Sequence, residues 1–244
     1  MPPSTSPFTP LPISLLSLPS TPLLQAAHAF LLRHTSPSTT NHCLRSAFFA
    51  LLLLRRLPAP PTTPQNEIDT EALLLAIILH DLGWSTTPSL LSTTKRFEVD
   101  GANAARDFFL SHAGGEKDAR RVQLVWDAIA LHTTPSIALH KEREVAVAAM
   151  GIAADFQGAY FSLSGGAGEL GGLITVEEHQ EIVRGFPREG FRGELVGIMC
   201  GLCRDKPETV VDNFVGDFGV VYGLDGEGGG REEVWVGWKG VTIR

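Results

Sequence analysis

From residue 23 to the glycine-rich tail the apolar residues recur at helical spacing, three and four apart, and the Val/Trp end after Gly223 reads either as a strand-like tail or as a loosely ordered end. That periodicity limits the chain to helices packed on helices, and it predicts an all-α bundle. Helices are predicted over Leu23–His34, Asn41–Leu57, Thr70–Leu82, Asp100–Ser111, Glu116–Leu131, Glu142–Phe161, Val176–Arg184, Glu189–Arg204 and Pro207–Phe218. Pro58 stops the second, Asp69 or Thr70 caps the third, and Gly83 ends it. Asp100 is expected to cap the fourth. Ser36–Thr40 and Ser85–Arg96 are expected to be links, and Gly165–Gly172 a lid or a long loop.

The predicted organisation is a proline-rich arm over residues 1–22, one helical domain over 23–220 and a glycine-rich tail over 221–244. Prolines at 2, 3, 7, 10, 12, 19 and 22 favour an extended, partly mobile arm and interrupt any signal-peptide core. The longest apolar runs, Ala47–Leu54 and Ala72–Leu79, fall short of the roughly 20 residues a membrane span needs. A net charge of −7 disfavours nucleic acid as a partner. Three cysteines do not make a secreted disulfide framework, so a reducing, cytoplasmic setting is expected. Cys200 and Cys203 lack the second pair of a structural zinc site and are expected to pack in the core. A homo-oligomer stays open.

Chemistry enters through ionisable residues on faces that should be buried. His80 follows Leu73, Ala76 and Ile77 on one face, with Asp81 next to it. His42 shares a face with Ser46, Phe49 and Leu53. Asp155 shares one with Val145, Ala149 and Ile152. A lone core histidine is more often satisfied by a carbonyl than by a metal. Three helices each aiming such a group inward are harder to explain that way, because an uncompensated buried carboxylate costs several kcal/mol. A bound cation satisfies them together, and mixed histidine and carboxylate donors suit zinc, iron or manganese.

In that order, His42, His80-Asp81 and Asp155, the residues resemble the signature of the HD-domain superfamily. The flanking segments 41–45 (NHCLR), 79–83 (LHDLG), 96–103 (RFEVDGAN), 130–133 (ALHT) and 151–155 (GIAAD) are similar to the fungal cyanamide hydratase branch. The resemblance covers roughly residues 10–220, so that the helical bundle becomes a single HD domain. It implies that His42, His80, Asp81 and Asp155 hold one ion, Zn²⁺ or alternatively Fe²⁺ or Mn²⁺. It also implies that the chain is a lyase adding water to the carbon–nitrogen triple bond of cyanamide or a similar small nitrile. Phe97 stands where dinuclear relatives carry a histidine, whereas His132 matches a later one. Together these imply a single ion with His132 near the substrate.

The expected roles follow from that small-molecule chemistry. Asp81 binds the metal and orients the attacking water, and His132 donates a proton to the developing nitrogen. Asn103 hydrogen-bonds the substrate. Lys95 and Glu98 are expected to be solvated surface charges. The alternative is a metal-dependent phosphohydrolase of nucleotides or other phosphate esters. That activity needs several cations for phosphate, and the core helices supply few beyond Arg45, Lys95 and Arg96. A further alternative is a scaffold that keeps the metal only for folding.

Overall fold

The computed structural model describes residues 6–58, 68–112, 118–158 and 173–224. Among them there is no strand, and the expected all-α bundle is found. Its helices are α1 (Pro22–His34), α2 (Pro37–Arg56), α3 (Thr70–Leu79), α4 (Phe97–His112), α5 (Ala119–Ala130) and the single turn α6 (Pro135–Ala138). They continue with α7 (Arg143–Gln157), α8 (Val176–Gly185), α9 (Phe191–Asp205) and α10 (Val215–Tyr222). No helix among the described residues is long and apolar enough to cross a membrane.

Helix ends account for most differences from expectation. α2 starts a turn early: the Ser36 hydroxyl accepts from the Thr39 N–H at 3.1 Å, and Pro37 suits the first helical position. The expected link at Ser36–Thr40 is therefore mostly helix. α4 starts at Phe97, so Asp100 lies inside it and does not cap it. Asp100 instead accepts from Lys206 Nζ at 2.7 Å, tying α4 to the C-terminal end of α9. The expected helix over Pro207–Phe218 is split into a 3₁₀ turn at Pro207–Thr209 and α10.

α3 is buried at every residue from Ala72 to Leu79 and forms the middle of the bundle, with α1, α2, α5 and α7 packed around it. It stops at Leu79, and His80–Trp84 form a 3₁₀ turn rather than a continuation to Leu82. A Cβ at Gly83 would sit 1.9 Å from the Phe97 carbonyl oxygen, so only glycine lets α4 close on this turn. α2 and α7 also cross closely, with a Cβ at Gly151 falling 2.6 Å from that of Ala50. The first approach seats the turn on α4, and the second seats α7 on α2.

A second apolar cluster, including Trp84, Phe97, Phe191, Leu195, Met199 and Phe218, packs α9 and α10 against the turn and the start of α4. Cys200 and Cys203 belong to it and are buried, the packing role expected of them. The N-terminal segment is not loose where it is described. Leu11, Leu16 and Leu18 are buried in the main core, and the backbone N–H groups of Ile13 and Ser14 donate to the Glu181 carboxylate. The Gly165–Gly172 loop and most of the glycine-rich tail lie outside the described residues.

Candidate metal centre

Helix α2 carries His42 at its buried middle, the 3₁₀ turn supplies His80 and Asp81, and His132 follows the last turn of α5. All four are buried. His42 Nε2 lies 3.2 Å from His80 Nε2 and 3.5 Å from Asp81 Oδ2. His80 Nε2 is 3.2 Å from the same carboxylate oxygen, and His132 Nε2 is 3.9 Å from Asp81 Oδ1. One donor atom from each of His42, His80 and Asp81 lies within 4.8 Å of the others, a spacing that can hold a metal ion.

The far side of each ring explains why these atoms converge. His80 Nδ1 donates to the Ile77 carbonyl at 2.7 Å, and His132 Nδ1 to the Ile129 carbonyl at 2.6 Å. His42 Nδ1 donates to Asp155 Oδ2 at 2.7 Å. With the proton fixed on Nδ1, each Nε2 presents a lone pair toward Asp81, the arrangement that prepares histidine for a metal. Neither oxygen of Asp81 has a hydrogen-bond partner among the described residues. With no ion bound, this buried carboxylate can be satisfied only if His80 takes up a proton on Nε2, 3.2 Å from Oδ2, and a divalent cation among the converging Nε2 atoms fits in that proton's place.

The electrostatics agree. Burial opposes charge on His80, but the Asp81 carboxylate overrides it and raises the imidazole pKa well above its ordinary value. Burial likewise pushes the Asp81 carboxyl up, and the neighbouring imidazoles, His80 foremost, bring it below the ordinary range. Burial lowers the pKa of His42. Burial, reinforced by His80, pushes His132 down to about 4. The centre therefore draws in positive charge between His80 and Asp81 and keeps His132 neutral.

Asp155 is brought to the opposite side of His42 and not into the cluster of donor atoms. Its oxygens accept from Arg45 Nε at 2.8 Å and Nη2 at 2.9 Å, and from Arg188 Nη2 at 2.6 Å. Asn103 is brought elsewhere again. Its side-chain oxygen accepts from the Trp126 indole at 3.1 Å, linking α4 to α5, and it does not line the cavity. Glu98 is 1% exposed and so is not the solvated surface charge expected of it. It is gripped by Arg96 and accepts from the Thr133 hydroxyl at 2.6 Å. Lys95 is exposed, as expected. Arg45, Arg188, Glu98 and Thr133 were not singled out as site residues by sequence. Only Arg45 carried a signal, as a charged residue inside an otherwise apolar stretch.

The centre opens on a cavity of about 40 Å³. His42, His80, Asp81 and His132 line one side. Trp84, Phe97, Phe156, Leu195, Phe214 and Phe218 supply most of the rest. Residues 39–155 match the HD domain family.

These residues form an HD domain.

HD domains bind divalent metals and are generally metal-dependent hydrolases. No curated protein matches the chain closely enough to count as a relative. The HD domain here begins inside α2 and ends on Asp155, so His42, His80, Asp81 and His132 all fall within it. Leu195, Phe214 and Phe218, which close the cavity, come from beyond it.

Proposed function

We propose that the chain is a metal-dependent hydratase that adds water to the carbon–nitrogen triple bond of cyanamide or a similarly small nitrile. The observation that carries this reading is the cavity itself: about 40 Å³, walled by carbon, with no lysine or arginine among its lining residues. One water needs roughly 10–15 Å³ measured in this way, so the space suits a molecule of about three heavy atoms. A nucleotide is far larger, and its phosphates call for cationic side chains.

His42, His80 and Asp81 are the residues that hold the ion, Zn²⁺ or alternatively Fe²⁺ or Mn²⁺. Asp155 acts one step back: it fixes the His42 tautomer and is itself fixed by Arg45. A divalent cation at this point supplies Lewis acidity and brings the pKa of water toward about 7. The chain's own residues do the rest. Asp81 orients the attacking water through Oδ1, the oxygen nearer His132. His132 is neutral, with its lone pair on Nε2, so it accepts a proton before it donates one. As the new C–O bond forms and one π bond of the nitrile opens, the water proton passes to His132 Nε2 and from there to the nitrile nitrogen. Tautomerisation then gives the amide, which is urea when the substrate is cyanamide. Trp84, Phe97 and Phe214 exclude bulk water.

The test is urea formation from cyanamide by the zinc-loaded protein, set beside phosphate release from a panel of nucleotides. Urea without phosphate supports the hydratase. Phosphate without urea replaces it with the phosphohydrolase that the HD domain also allows.

A further inference from the structure

We infer that Thr133 makes this cavity select nitriles that carry an N–H group, an inference that rests on the hydratase reading and narrows its substrate. Thr133 supplies the only hydroxyl among the described residues lining the cavity. A free hydroxyl can turn to donate or to accept and so discriminates little. This one is not free. Its proton is committed to Glu98 Oε1 at 2.6 Å. Glu98 is buried and paired with Arg96, whose Nη2 lies 2.6 Å from Oε1 and whose Nε lies 3.3 Å from Oε2.

The remaining lone pairs of Thr133 Oγ1 can therefore only accept. Away from the histidines and Asp81 the rest of the lining is mostly carbon, Phe97, Ile152, Ala153, Leu195 and Phe214 among it. A ligand reaching this wall with an N–H finds its acceptor. One reaching it with a methyl group leaves Oγ1 unpaired, and one reaching it with a lone pair is repelled. Cyanamide has the N–H beside its nitrile carbon. Acetonitrile has the same linear shape with a methyl in that place.

Wild type, Thr133→Ser and Thr133→Val, each loaded with zinc, are titrated with cyanamide and with acetonitrile. Binding is read by ligand-observed NMR, and urea formation is followed in the same samples. Wild type and Thr133→Ser should prefer cyanamide by about tenfold or more, and Thr133→Val should bind the two within about twofold of each other. Full preference in a folded Thr133→Val, or none in wild type, overturns the inference. The two readings fail separately. Preference that is lost in Thr133→Val but comes with no urea keeps the role of Thr133 and removes the hydratase. Urea formation with undiminished preference in Thr133→Val does the reverse.

Discussion

His42 donates through Nδ1 to Asp155 over 2.7 Å, and this leaves its Nε2 lone pair facing Asp81 at 3.5 Å. The same ring thus separates a carboxylate that is fully satisfied from one that is not. Asp155 is surrounded by Arg45, Arg188 and His42, whereas Asp81 has no hydrogen-bond donor on either oxygen. Two aspartates that look equivalent in the sequence hold different positions relative to the centre.

Asp155→Asn should therefore be a stability mutant as well as a metal-binding one. Removing one partner of a buried ion pair costs about 3–5 kcal/mol, on the order of 10 °C in Tm for a domain of this size. Burial pushes the Asp155 carboxyl up, but Arg45 and His42 hold it well below the carboxylate range. A group depressed in this way stabilises the fold above its unfolded value of about 3.9, and the contribution is lost as pH falls. Thermal melts of the metal-free proteins should thus differ fully at pH 7, and the gap should begin to narrow as pH falls below about 4. A gap that persists unchanged to pH 3 contradicts the assignment.

His132→Ala should keep the metal and lose rate, by about 10²–10⁴ in kcat, the usual worth of a positioned acid–base group. With its pKa pushed down to about 4, His132 is already neutral at pH 6. A cation nearby moves it further in the same direction. The acid limb of kcat that depends on His132 should lie below pH 5, and a limb near 6.5 that disappears in His132→Ala argues against this environment. Loss of metal in the variant instead makes His132 a ligand.

How much of this was legible in the sequence depends on the residue. His42, His80-Asp81 and Asp155 were found because a polar residue on an apolar helical face stands out against its neighbours at three and four residues' spacing. The division of labour between Asp81 and Asp155 was not: Arg45 stands out as a charge in an apolar stretch, but nothing in the sequence says that its guanidinium lies on Asp155. The bond from the Trp126 indole to Asn103 was not legible, because nothing in the sequence pairs those two positions of α4 and α5. Glu98 falls inside a helix, not ahead of one, because α4 starts at Phe97. Phe214 and Phe218 gave no signal at all, since apolar residues more than fifty positions beyond Asp155 do not announce which cavity they close.

Phe214 faces that cavity from just ahead of α10 and is only half-buried, so shortening it should open the cavity without unfolding the protein. Phe214→Ala is expected to raise kcat/KM for N-methylcyanamide relative to cyanamide by roughly tenfold, the scale of one methyl group in an apolar pocket. Comparing the two substrates on wild type and variant reads this directly. An unchanged ratio means that another residue sets the size limit.

A cation held by His42, His80 and Asp81 underlies every role assigned to these residues. Elemental analysis after zinc reconstitution and exhaustive dialysis, run on wild type, His80→Ala and Asp81→Asn, measures it. The expected result is about one ion per chain in wild type and less than about a tenth of that in either variant, since each removes one of three convergent donors. A wild-type protein that retains no ion, or variants that retain it in full, would contradict the assignment of this centre.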